Sequence, residues 1–361
     1  MTDPVDWTLA RQTAFQVVPA GPRLSREEVF QAVAELRALA RASVLPVAEV
    51  TGLPAPASQA AHVVDRRGWI ASNISALQVG LGPLLAGEPG SSLLGPVGDL
   101  PAVRRAGAAA LGVQLGSALA WLSTKVLGQY EIFTAPVRQG QPAGEPRLLL
   151  NAPTIVSVER RLGVPSRDFR LWVCLHEQTH RLQFATAPWL AEEIRTLLAD
   201  FIAATDEGLA GVLQRVSRLQ RGPSGAPSGS APPLSVLERL QSAEQRAVFD
   251  RMTALMSVLE GHADVVMDEV GPAVVPSVEL IRERFNARRE NPVGLDAIIR
   301  KALGLDLKAQ QYRDGAAFVR TVIAEVGMSG FNRVWSGPAA LPTRAEIADP
   351  GAWVRRMADA A

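Results

Sequence analysis

Phe169-Arg170-Leu171-Trp172-Val173-Cys174-Leu175-His176-Glu177-Gln178-Thr179-His180 is largely apolar over its first seven residues and then carries an H-E-x-x-H. Positions four apart on a helix project from one face, a turn apart, so His176 and His180 can offer two imidazoles to one cation. Glu177 leaves the axis about 100° round from His176, beside the ion rather than onto it. A carboxylate there suits a general base acting on water held by the ion. That geometry exists only on a helix, and the apolar lead-in reads as a buried one. Cys174 lies two residues before His176 and so points away from the ion; it reads as a small buried apolar side chain rather than a nucleophile.

The chain has four histidines, and a third lies far downstream in Leu259-Glu260-Gly261-His262-Ala263-Asp264. A catalytic zinc takes three protein ligands and keeps a fourth position open. Glu260, Asp264 and Asp268 recur every fourth residue and share a helical face, whereas His262 points largely away from it. Glu260 is therefore read as the third ligand, after His176 and His180. Asp264 is read as the group behind them that accepts the free ring N–H of a ligating histidine. Gly261 removes a side chain where this helix would approach the first. His262, Glu192 and Glu193 are the alternative third ligands. A tetrahedral intermediate needs a donor besides the metal, for which His262, Tyr312 and Arg313 are candidates.

Composition sets the frame. The chain has 361 residues, 47% apolar and 20% charged, which is globular rather than disordered and ample for a sizeable core. The net charge of +1 gives no reason to expect a nucleic-acid partner. With Cys174 the lone cysteine, no internal disulfide can form, which fits a reducing, cytoplasmic setting. The start has two acids and no basic, apolar leader. Residues 106–123 carry no charge, but they are Ala- and Gly-rich with Gln114 among them, and read as a buried core helix rather than a membrane span.

The expected fold is mainly α with a small β-sheet. Ser25 and Glu28 form a capping box that opens a helix to about Ala42. Helical periodicity returns at 63–77 and again at 102–127. Strands are expected at 129–134 and 147–151, the only clear β signal, followed by helices at 154–162, from 166 onward, from about 242 to 270, and at 277–289, 295–303, 307–326 and 350–357. Gly80-Leu81-Gly82 lacks the rest of a dinucleotide fingerprint, and the arginines at 282–289 read as a solvated face. Residues 1–127 are taken as an N-terminal helical part and 128–361 as the catalytic part. The Gly/Pro/Ser-rich run 221–233 is a loop inside one catalytic unit, since the two motifs flank it.

The H-E-x-x-H, followed on a later helix by a glutamate and an aspartate four residues on, resembles the gluzincin pattern. The separation of the two motifs is far longer than in thermolysin-like enzymes. With Val5-Asp6-Trp7, Val18-Pro19-Ala20-Gly21-Pro22-Arg23 and Val64-Asp65-Arg66-Arg67-Gly68-Trp69-Ile70, nearly the whole chain resembles a family of zincin-like hydrolases of high-GC bacteria. One branch of that family is labelled as associated with deazaflavin-coenzyme biosynthesis. The resemblance implies a helical zincin with Zn2+ as cofactor, a peptide or protein as substrate, and a cleft-lining strand, for which 147–151 is the candidate edge. The alternative is a non-catalytic zincin-like scaffold linked to a coenzyme pathway.

Overall fold

The computed structural model describes residues 3–56, 60–80, 82, 101–134, 144–203, 243–290 and 305–359. Helices α1 (Trp7–Val17), α2 (Arg26–Ala42) and α3 (Val44–Thr51) precede β1 (Ala61–Val64), α4 (Arg66–Gly80) and α5 (Pro101–Leu122). Strands β2 (Gly128–Glu131) and β3 (Arg147–Asn151) follow, then α6 (Ala152–Leu162), α7 (Ser166–Thr186) and α8 (Trp189–Ala203). The remainder comprises α9 (Ala243–Val274), α10 (Val278–Glu290), α11 (Leu305–Phe331), α12 (Arg344–Ala348) and α13 (Pro350–Asp359). The fold is mainly α with one small sheet. The expected loop at 221–233 and helix at 295–303 lie outside the described residues. The chain forms two compact units, Met1–Thr186 with Val266–Ala287, and Ala187–Val265 with Arg288–Ala361.

In the first unit the sheet order is β1-β3-β2, with β1 parallel and β2 antiparallel to β3. Leu148, Leu149 and Leu150 are all buried, because a central strand is covered on both faces and needs a continuous apolar run rather than an alternating one. This corrects the reading of 147–151 as a cleft-lining edge, since the outer strands are β1 and β2. It also corrects 63–77 as a single helix: Ala61–Val64 is a strand, and Asp65 accepts the Gly68 N–H at 2.7 Å to open α4. Glu131 and Arg147 face each other across β2 and β3 and pair at 2.6 Å, with Ser72 bonded to both.

Helix α7 packs on α2, α3, α6 and the sheet and is buried on most sides. Several of its buried polar groups bond inward. Gln178 donates to the Ala40 carbonyl at 2.6 Å, Arg181 donates to the Ala60 carbonyl at 2.9 Å, and Arg170 grips Glu159 through two nitrogens. The capping box of Ser25 and Glu28 forms as expected at the start of α2.

Helix α5 is buried along one edge only, at Gly112, Gly116, Leu119 and Ala120, which corrects its reading as a buried core helix. A Cβ at Gly112 would stand 2.6 Å from the Asp6 carbonyl oxygen of the α1 N-cap, so the two glycines let α1 and α5 touch backbone to backbone. Among the described residues no helix is long and apolar enough to cross a membrane.

In the second unit α9 and α11 cross at glycines. A Cβ on Gly261 would meet the Ala316 nitrogen at 2.6 Å, and one on Gly315 would meet the Ser257 carbonyl carbon at 2.8 Å. Gly261 thus serves the contact with α11, where the sequence reading gave it to the first-motif helix. Helix α9 breaks at Gly271 (φ 62°) and α11 at Gly327 (φ 71°), in the left-handed region that glycine enters without strain.

Candidate metal centre

His176 and His180 project one turn apart from α7. Their rings stand edge to face, with centroids 4.7 Å apart and Nε2 facing Nε2 at 3.1 Å. The other nitrogen of His180, Nδ1, lies 2.9 Å from Gln183 Oε1. A carbonyl oxygen can only accept, so Nδ1 donates to it, and in the neutral ring Nε2 is then the nitrogen able to act as acceptor or ligand. His176 Nδ1 lies 3.2 Å from the thioether of Met267.

Glu260 completes the group. One ligand atom from each of His176, His180 and Glu260 lies within 4.8 Å of the others, and all three residues are partly exposed. Two Zn–N bonds of about 2.0–2.1 Å at a tetrahedral centre hold their nitrogens about 3.3 Å apart, so the observed spacing fits. The donor set, two imidazoles and one carboxylate, suits a divalent metal ion and is found at catalytic zinc and non-haem iron sites alike.

Glu177 is 6% exposed, next to the ligands but outside their group. Its carboxylate lies against the start of β2. A Cβ on Gly128 would stand 2.6 Å from Glu177 Cδ and 2.7 Å from Oε1, so the bare glycine leaves room for that carboxylate. Two residues on, the Tyr130 ring packs 5.7 Å from Phe184 of α7; burial pushes its phenol pKa up, and the nearby Arg181 pulls it back. Burial, with the Glu177 charge adding to it, also pushes the Cys174 thiol far above its ordinary value.

The other sequence candidates fall elsewhere. Asp264 sits one turn past Glu260, partly buried and outside the group of three. Asp268 pairs with Arg282 at 2.7 Å. His262 is fully buried, its ring 5.1 Å from Phe331 and 5.5 Å from Trp335. Glu192 binds Arg195 and Glu193 binds Arg251, so neither joins the group. The side chains of Tyr312 and Arg313 lie outside the described residues. Sequence reasoning missed Gln183 and Gly128. The first had a signal, a polar residue three positions after His180 on the same helix. For the second there was only a glycine ahead of a strand.

The sequence profile of the zincin-like metallopeptidases matches residues 5–354. A solved structure from Chloroflexus aurantiacus, described as a candidate hydrolase with a novel fold, is similar at 31% identity over 98% of each chain, with a TM-score of 0.64. No curated protein matches the chain.

Proposed function

Because the chain belongs to the zincin-like metallopeptidase family, we propose that it is a zinc-dependent peptidase with His176, His180 and Glu260 as ligands and Glu177 as general base. The observation that carries this reading is the convergence of those three ligand atoms within 4.8 Å beside a buried carboxylate. Asp264 is the outer partner that orients the ligands, together with Gln183 on His180.

Zinc, when bound, would polarise the scissile carbonyl and acidify water at the open position. The protein does the rest. Glu177 takes the proton as the water oxygen adds to the carbonyl carbon. It then delivers that proton to the amide nitrogen as the C–N bond breaks, leaving a carboxylic acid and an amine. Low exposure and the close wall at Gly128 hold the carboxylate in one orientation. An extended peptide would lie along β2, the outer strand whose first residue touches Glu177, and bond to its main chain. The substrate is a peptide or protein met in the cytoplasm.

The test is metal analysis with a peptide-library digest of wild type and Glu177→Gln. Wild type should hold one zinc and cleave, and the variant should hold one zinc and not cleave. Wild-type turnover in the variant would remove Glu177 from the role of base.

A further inference from the structure

Two segments that take no part in the metal centre, residues 18–23 and 64–70, meet at a cavity of about 500 Å³ in the first unit. None of its lining residues is a candidate metal ligand. Its walls are aliphatic, with Pro19 before α2, Val29 and Val33 on α2, Val63 on β1 and Val156 on α6. The volume is that of a small-molecule site, in which a few polar groups orient an otherwise apolar ligand. Gly21 (φ 64°) makes the wall possible: a Cβ there would stand 2.9 Å from the Pro153 Cβ.

The polar group is Arg66. It is 9% exposed, yet its hydrogen-bond partners are neutral: Nε donates to Thr154 Oγ1 at 3.3 Å and Nη1 donates to the Pro19 carbonyl at 2.9 Å. A guanidinium has five N–H donors, and Nη2 makes no hydrogen bond among the described residues. No carboxylate pairs with it there. Asp65 is the one acid on the lining; it is exposed, and its Oδ1 caps α4 through the Gly68 N–H at 2.7 Å. Burial and the charge of Arg161 both pull the Arg66 pKa down, as expected for a buried cation with no anion beside it.

The first turn of α4 (Asp65 to Arg67) and that of α6 (Ala152, Pro153) both line the cavity. Asn151, the N-cap of α6, makes no cap bond and spends its amide on the Ser123 and Val126 carbonyls instead. The α4 end is already met by the Asp65 carboxylate, so it is the uncapped α6 end that adds to the pull of Arg66 on an anion.

We infer that this cavity binds an organic carboxylate with an aliphatic body, its head on Arg66 Nη2 and its chain among the valines and prolines. The planar fork of arginine matches a carboxylate, and the apolar walls exclude a fully hydrated anion.

Decanoate and decanol are the probes, titrated into the metal-loaded protein and followed by methyl NMR and calorimetry. Neither readout depends on peptidase activity, so the result stands apart from that of the digest. Decanoate should saturate shifts at Val29, Val33, Val63 and Val156 and bind at least tenfold more tightly than decanol. Arg66→Gln should erase the difference between the two, and Val33→Trp, which fills the cavity, should abolish both. Since Arg66 also ties Pro19 to Thr154, the Arg66→Gln variant could fail to fold; the decanoate–decanol ratio and Val33→Trp then decide. Equal binding of the two probes, no saturable shift at those valines, or unchanged binding in Val33→Trp would each overturn the inference.

Discussion

The imidazole of His180 is set by a group three residues along its own helix. Gln183 Oε1 accepts from Nδ1, which directs Nε2 toward the proposed metal position. Replacing such a partner usually weakens metal binding by about 10–100-fold, so Gln183→Leu should lose zinc to a chelator at correspondingly lower concentration. Unchanged affinity would show that the contact does not tune the ligand. Gly128→Ala pushes a methyl group against the Glu177 carboxylate. It should lower turnover on the order of 100-fold while zinc stays bound, because a displaced base loses its alignment. Cys174 is fully buried with its thiol pKa raised, so iodoacetamide at pH 8 should modify it in guanidinium and leave the native protein untouched. The histidine pair and Glu177 were legible because one helix fixes their spacing. Gly128 was not, since its contact with Glu177 depends on where the sheet lies against α7.

Among the elements, those that carry their own signals were read correctly. The Ser25 box opens α2, and β3 runs over the expected residues, 147–151. Strand β1 was missed for a physical reason. It has four residues, with His62 exposed, and it forms only because β3 offers a parallel edge. Nothing local distinguishes Val63-Val64 from the start of the helix that follows. The role of β3 as the central strand was likewise a matter of pairing rather than of composition. The crossing of α9 and α11 rests on two glycines. Gly261→Ala forces the helices apart and should reduce stability by about 1–3 kcal/mol, the usual range for overpacking, measured by urea unfolding. An unaltered midpoint would mean that the crossing relaxes freely. Because Gly261 adjoins Glu260, the same variant should also bind zinc more weakly.

For the whole molecule, a metal held by His176, His180 and Glu260 as proposed would join residues far apart in the chain. A ligand bound only by the native state stabilises it by about 4 kcal/mol at ~1000 times its dissociation constant. Stripping the metal with a chelator should therefore lower Tm by several degrees, and added zinc should restore it. Glu260→Ala should blunt both effects; a response identical to wild type would mean that the histidines alone hold the ion. The most direct measurement is the anomalous density of zinc-loaded crystals at the zinc edge. A single peak about 2.0–2.2 Å from both Nε2 atoms and a Glu260 oxygen, with one open position, is the expected result. A peak elsewhere, or one that leaves Glu260 uncoordinated, would contradict it.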